Sequence, residues 1–481
     1  MTHSERDKVK MKMSDFDVVV VGAGPSGLML ALDLAQQGVR CMIIERRTSI
    51  SSNLTRAFSV HARTLDLLHV RGVADEILQR GTSVSSIPLL WNMDVRFDHV
   101  HSAHPEMLVV PQYEVEQVLL NHLKMYDVKI AYGAEFITTK PSSSSINVRY
   151  QINDEFRSVD ASYVVGADGH HSSVRKSLNI DFIGSCVLPS VIISDVKLLR
   201  PSAKPLTLVA NRRGFVFVAP FGDGYHRVLG WDSKLTPEED SANDFRRLES
   251  IVSTVLEDDI GLSEPRWVSR FSSYECVASS YRSGRAFLIG DAAHVHSPAG
   301  GLGMNLGLQD AINLGWKLGW VIRRGASANL LDTYEQEMQP LARHVVRESG
   351  QLIHEATHRR GVAASTKDLL MSTVSRFPWV KKLIERGIGE SISGANFEMR
   401  GLTRNTTKDK RIGTFATELI SNVAALQAFR EHEYVLEVPS GLQEVNGSID
   451  LANKTPVQVE APLGGSNTYL IRPDGYVDVW P

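Results

Sequence analysis

The chain reads as an α/β protein with a parallel-sheet domain, a β-rich insert within that domain, a helical region and a small C-terminal unit. Three observations predict this. A strand, glycine turn, helix and second strand open the chain. Two further buried strands each run into an Asp-Gly or Gly-Asp motif. The residues between those two motifs carry the pattern of β-structure.

The opening unit begins with Phe16 to Val21, a β-branched run ending in Gly22-Ala23-Gly24-Pro25-Ser26-Gly27. The amphipathic segment Leu28 to Gln37 follows and Gly38 closes it. Cys41 to Ile44 form a second apolar strand, ending at Glu45 and Arg46. This is the spacing of a βαβ unit. Gly22 permits the tight turn, Gly24 lets backbone approach a pyrophosphate, and Gly27 lets the helix pack close to the strand. Around Ala23, Pro25 and Ser26 the helix start offers unpaired N–H groups and a positive dipole end to phosphates. Glu45 can accept hydrogen bonds from ribose hydroxyls and would repel an adenosine 2′-phosphate, so the unit suits FAD or NAD better than NADP. Arg46 beside it joins the candidate cofactor-binding set.

Tyr163 to Ala167 is the second buried strand, followed by Asp168-Gly169-His170-His171-Ser172-Ser173-Val174-Arg175. Ala286 to Ile289 is the third, leading into Gly290-Asp291-Ala292-Ala293-His294. After it come Pro298-Ala299-Gly300-Gly301-Leu302-Gly303-Met304-Asn305 and a long apolar helix. With these three motifs in order, the sequence resembles the class A flavoprotein monooxygenases, the group of p-hydroxybenzoate hydroxylase, over about residues 15–324. The resemblance implies a Rossmann-like FAD-binding domain. Asp291, at a strand end, can bind the ribityl hydroxyls, and Asp168 of the central motif belongs to the cofactor site. Gly301, Leu302, Gly303, Met304 and Asn305 would lie at a helix N-terminus against the flavin ring, where fixed dipoles stabilise its reduced, anionic form. Pro298 would stand beside the reacting edge. Thr55-Arg56-Ala57 resembles the arginine loop that contacts the flavin, and Pro111-Gln112 resembles the glutamine that binds the FAD backbone. One departure is Leu302, where many relatives have Gln; a polar side-chain contact near the flavin is absent.

The expected organisation is a disordered tail (1–14), an FAD-binding domain in two pieces (15–181 and 281–325), a β-rich substrate domain (182–280), a helical region (326–410) and a C-terminal unit (411–481). In the insert, Phe215 to Pro220 and Arg227 to Trp231 flank Gly222-Asp223-Gly224 and read as a hairpin. Phe215, Phe217 and Ala219 share one face, Val216, Val218 and Pro220 the other; which face meets substrate stays open. Leu330 to Arg359 and Asp368 to Arg386 carry helical patterns. Tyr469 to Val477, with its Pro473-Asp474-Gly475 turn, resembles the end of the thioredoxin-like C-terminal domain of the phenol hydroxylase branch, which includes polyketide hydroxylases and rifampicin monooxygenases. Here that unit is shortened and lacks cysteine, so its role would be structural.

Several classes are disfavoured. A net charge of −3 gives no basic face for nucleic acid. Cys41, Cys186 and Cys276 form no local dithiol or Cys-rich metal site and fit reduced thiols in a cytoplasmic protein. Met1 to Ser14 hold no signal-like apolar run. Leu306 to Ile322 carries Gln309, Asp310, Asn313 and Lys317, which suits a buried helix better than a membrane span. Asp94, Asp98, His99, His101 and His104 are irregularly spaced, and no metal is expected. No second GxGxxG occurs, so NADPH or NADH would bind transiently. The resemblance implies that NAD(P)H reduces FAD, that molecular oxygen adds at flavin C4a, and that the distal oxygen passes to an aromatic or polyketide-like small molecule. No side-chain catalyst is assigned. The alternatives are an FAD-dependent reductase without oxygen transfer, or a non-catalytic FAD- and ligand-binding protein. A monomer or homodimer is expected.

Overall fold

The computed structural model describes residues 14–49, 57–88, 94–200, 206–235, 241–357, 378–395, 397–399, 409–439, 455–460 and 467–478. Arg56, the expected tail apart from Ser14, and the first half of the expected 368–386 helix lie outside the described residues.

The chain starts with β1 (Phe16–Val21), α1 (Pro25–Gln36), β2 (Cys41–Glu45), β3 (Ser59–His61) and α2 (Ala62–Val70). It continues through β4 (Met107–Val109), α3 (Gln112–Leu123), β5 (Lys129–Tyr132), β6 (Glu155–Gly166) and α4 (Ser173–Ser177). β1 pairs in parallel with β2 on one side and β6 on the other, and β5 lies beyond β2. A strand of consecutive valines is what a parallel sheet covered on both faces requires; Val18, Val19 and Val20 are wholly buried.

The insert comprises β7 (Phe182–Leu198), β8 (Thr207–Asn211), β9 (Gly214–Pro220), β10 (His226–Asp232), α5 (Asp244–Leu256) and β11 (Leu262–Ala278). Its strands lie antiparallel in the order β8-β9-β10-β7-β11. The 222–224 turn joins β9 to β10, with Gly222 and Gly224 at φ +86° and +84°. The β-rich reading of the insert had no place for α5. Leu248, Ile251, Val252 and Val255 form its buried stripe at helical spacing. They pack on Val216, Val218 and Val228 and so cover one face of the sheet. The other face of β9 differs: Phe215 clusters with Ile193 and Leu229, and Phe217 meets Phe58 with ring centroids 4.9 Å apart.

The chain then runs through β12 (Ala286–Leu288), β13 (His294–Val295), α6 (Gly303–Arg323), α7 (Asp332–Thr357) and α8 (Pro378–Ser393). β12 returns to the first sheet, parallel to β6, while β13 pairs with β11 and ties the insert to the Gly290–Asn305 segment. α6 crosses α1 on a glycine face. A Cβ at Gly307, Gly315 or Gly319 would come within 2.3 Å of Ser26 Oγ, 2.3 Å of Asp33 Oδ2 or 1.9 Å of Gln37 Oε1. The polar residues of α6 are buried and partnered: Gln309 with Thr64, Asp310 with His294, Asn313 and Lys317 with Glu337. No helix among the described residues is long and apolar enough to cross a membrane. α7 stands where Leu330–Arg359 was expected, and α8 runs past Arg386 to Ser393.

The C-terminal unit has α9 (Val423–Arg430), β14 (Val435–Val438), β15 (Val457–Glu460), β16 (Tyr469–Ile471) and β17 (Val477–Asp478). β14 lies between β15, parallel to it, and β16, antiparallel. Trp316 and Trp320 of α6 pack against Tyr434, Leu436, Val438 and Leu470. Two buried ionic clusters complete the docking. Arg472 bonds Glu337 at 2.7 Å and Asp474 at 2.5 Å, with Lys317 Nζ 2.9 Å from Glu337. Asp33 receives Arg71 and His432.

Candidate cofactor and substrate site

A cavity of about 610 Å³ opens where α1, the segment after β6, the segment after β12 and the insert sheet converge. Its first wall is the start of α1, through Gly24, Pro25 and Ser26. The three glycines there differ. A Cβ on Gly22 would lie 2.3 Å from the Ala167 carbonyl oxygen, and one on Gly27 2.0 Å from that of Gly22, so contacts within the protein demand both. A Cβ on Gly24 would meet nothing within 4 Å. The bare backbone there keeps space open over a helix start that no side chain caps, a ready site for phosphate. This fits the pyrophosphate of FAD.

Glu45 is buried at the end of β2. Its carboxylate accepts the Ala23 N–H at 2.6 Å, the Arg47 N–H at 2.7 Å and Arg47 Nε at 3.1 Å. A carboxylate offers about four acceptor positions, so capacity for a hydroxyl donor remains. Arg47 anchors this corner, bonding also to the Ala23 carbonyl and Glu116; Arg46 next to it is exposed. Burial pushes the Glu116 carboxyl up although Gln112 and Arg47 both bond it. Gln112 lines the cavity and donates to Glu116 at 2.8 Å.

Gly169, His170 and His171 form part of the second wall. Asp168 itself turns to α4, accepting from Ser172 Oγ at 2.5 Å and from the N–H groups of Ser173 at 2.6 Å and Val174 at 3.1 Å. These are orphan donors of a helix start. Arg175 bonds the carbonyls of Ala292 and His170 and so joins this wall to the next.

In the third wall Asp291 is exposed and faces the cavity. Buried Asp310 holds the turn before it, accepting the Gly290 N–H at 2.8 Å and His294 Nε2 at 2.6 Å. Pro298, Gly301, Leu302, Gly303 and Met304 follow along the rim. The α6 start is also uncapped by any side chain. Asn305 points away from the cavity: its Oδ1 accepts the His61 N–H at 2.8 Å, and its Nδ2 donates to the carbonyls of Gly301 at 2.9 Å and Ser59 at 3.0 Å. His296 Nδ1 donates to the Ser297 carbonyl at 2.7 Å. Burial pulls its pKa down to about 4, so the ring is neutral at physiological pH.

Ile193, Leu229, Phe271 and Tyr274 of the insert sheet make the last wall. Behind it, buried Arg227 forks onto Asp195 at 2.8 and 2.9 Å and donates to the Ala57 carbonyl at 3.0 Å.

Thus the cavity gathers residues from all three sequence motifs. Arg47, His61, Asp310 and Arg227 were not singled out as site residues. Asp310 was visible as a charge inside an apolar helix; His61 and Arg227 act through partners far along the chain, and Arg47 through Glu45 two residues away as well as Ala23 and Glu116. Of the irregular acidic and histidine run, Asp98 pairs with Arg96, His99 Nε2 bonds the Arg386 carbonyl and His104 meets His69. No group of three or more metal-ligand side chains occurs among the described residues.

Residues 15–349 match the family model described as FAD binding domain. The chain belongs to the class A FAD-dependent aromatic monooxygenases. Rifampicin monooxygenase of Streptomyces venezuelae is 30% identical to this monooxygenase, over 97% of the chain and 95% of the relative. The uncharacterized aromatic compound monooxygenase YhjG of Bacillus subtilis is also 30% identical, over 97% and 94%. Among solved structures, the anhydrotetracycline hydroxylase OxyS from Streptomyces rimosus superimposes with a TM-score of 0.79 at 27% identity, covering 97% of this chain and 95% of that one. As a member of this family, the monooxygenase uses FAD with NAD(P)H and molecular oxygen.

Proposed function

We propose that this monooxygenase hydroxylates an aromatic, polyketide-type small molecule held between Pro298 and the inner face of the insert sheet. The supporting observation is the continuity of one cavity from the α1 and α6 helix starts to Ile193, Leu229, Phe271 and Tyr274. FAD, when bound, supplies passage of two electrons from NADPH or NADH and the activation of dioxygen. The chain's own residues do the rest. Gly22 to Gly27 and Glu45 bind the ADP half, Gln112 the FAD backbone and Asp291 the ribityl hydroxyls. The N–H groups at the α6 start stabilise negative charge on the ring. Ile193, Leu229 and Phe271 give the reacting edge an apolar lining that excludes water. Asp168 acts through α4, whose start it caps. Relatives named for rifampicin, 6-methylpretetramide and anhydrotetracycline support a bulky fused-ring substrate, while one named for pentachlorophenol keeps a simple phenol in the test. The cytoplasm is the proposed site of action, in keeping with three cysteines that form no disulfide.

The test is a panel of tetracyclic polyketides, ansamycins and phenols, scored for ligand-stimulated NAD(P)H oxidation. Turnover under labelled dioxygen should give product carrying one labelled atom. Product formed without oxygen would defeat the hydroxylase and promote a reductase.

A further inference from the structure

The segment Gly300–Leu302 is held from behind by a strand that takes no part in the cavity's rim. Gly300 and Gly301 sit at φ +80° and +65°, a left-handed pair with no side chains to pin it. Behind them lies β3. His61 Nε2 is 2.8 Å from the Gly300 carbonyl oxygen. A carbonyl can only accept, so Nε2 carries the ring proton and Nδ1 is left as a buried lone pair, without a partner among the described residues. Ser59 Oγ donates to the Gly301 carbonyl at 3.3 Å, and Asn305 Nδ2 donates to the same oxygen at 2.9 Å. Asn305 is in turn locked to both ends of β3, through the Ser59 carbonyl and the His61 N–H. The fit is close: a Cβ on Gly301 would strike Ser59 Oγ at 2.2 Å.

This arrangement has a directional consequence. In a planar trans peptide the carbonyl and the following N–H point opposite ways. His61 fixes the first peptide, whose Gly301 N–H is taken by the Pro298 carbonyl at 3.1 Å; on the second, drawing the Gly301 carbonyl onto Ser59 and Asn305 turns the Leu302 N–H away from β3, to the side on which Gly301, Leu302 and Gly303 line the cavity. His61 is 1% exposed, and burial lowers its pKa to about 4, so its donor stays a neutral N–H across the working range.

We propose that His61, aided by Ser59 and Asn305, is a positioning residue for the flavin: it sets the peptide orientation of Gly300–Leu302, and with it FAD affinity and reduction potential, without touching the cofactor. This rests on the proposed placement of the α6 start against the flavin ring, and two separate measurements keep the two ideas apart.

Hydrogen exchange of peptides covering residues 298–305, with and without FAD, tests the placement; absence of protection would remove it. FAD affinity and midpoint potential test His61. His61→Leu should weaken FAD binding about tenfold, the loss of one well-made hydrogen bond. It should also move the potential negative, because the reduced anion loses more than the oxidised form. His61→Gln, which returns an N–H donor at similar reach, should recover most of both. Ser59→Ala should shift both readouts the same way by a smaller factor, and it decides the matter if His61→Leu does not fold. Protection on FAD binding together with wild-type affinity and potential in the folded variants would overturn the positioning role. A His61→Gln protein no better than His61→Leu would do so too, by tracing the effect to ring packing.

Discussion

Gly24 carries the α1 N-cap position at φ −76° and ψ −179°, backbone angles open to any residue. Together with the open space around its absent Cβ, this would separate folding from the proposed phosphate contact at one atom. Gly24→Val should yield a folded protein whose apo-form melting temperature stays close to wild type, yet which purifies colourless, because the new methyl groups stand where the pyrophosphate approaches. Full FAD occupancy in that variant would exclude the proposed phosphate site. The steric demands at Gly22 and Gly27 were readable from their spacing alone, since tight turn and close helix packing fall at fixed places in such a unit. The roles of Asp168 and Asn305 were not. Each sits in a motif that points to the cofactor, yet each turns its side chain toward protein donors and acceptors a turn away or across the domain. Spacing reports which backbone lies at the site; it does not report where a polar side chain finds its strongest partner.

At the scale of elements, the packing of α6 on α1 shows how small residues permit polar groups at a helix contact. Asp33 lies beneath Gly315, fully buried, where Arg71 and His432 hold its carboxyl below the usual range against the opposing pull of burial. Gly315→Ala would drive a methyl group to 2.3 Å of a carboxylate that three neighbours hold in place. Overpacking of that kind costs about 1–3 kcal/mol. Gly387 in α8 is the matched control, since its Cβ would meet nothing within 4 Å; Gly387→Ala should stabilise by about 0.5–1 kcal/mol through helix propensity. Urea midpoints of opposite sign are expected, and equal shifts would contradict the contact. Sequence periodicity captured α1, α6 and the β9–β10 hairpin because each has a long or well-punctuated pattern. It passed over α5, whose Leu248, Ile251, Val252 and Val255 stripe lies between strands in a segment read as β-rich throughout.

For the whole molecule, the buried Glu337 cluster joins the C-terminal unit to the domain that carries the cavity. Burial alone would raise the Glu337 carboxyl, but Arg472 and Lys317 outweigh it and hold the pKa down to about 2, against 4.5 unperturbed. A depressed carboxyl contributes stability that is fully present above pH about 4.5 and lost as pH falls toward about 2. The contribution is roughly 3 kcal/mol at one pKa unit per 1.36 kcal/mol. Glu337→Gln should therefore weaken the protein at neutral pH and flatten its loss of stability between pH 4.5 and 2. Denaturant midpoints measured against pH would show this, and an acid limb as steep as that of wild type would refute it.

The return of β12 to the first sheet has a consequence for the nascent chain. β6 pairs along residues 155–161 with the preceding strand 146–152, but Val164, Val165 and Gly166 wait on that side for a neighbour that begins only at Ala286. The ribosome must make the whole insert in between, a delay on the order of ten seconds at usual elongation rates. The insert strands can pair among themselves as they emerge. The short edge at Val164–Gly166 cannot, and an unpaired strand edge is a site where other chains can add. That edge stays uncovered throughout translation of the insert, well before any part of the C-terminal unit exists.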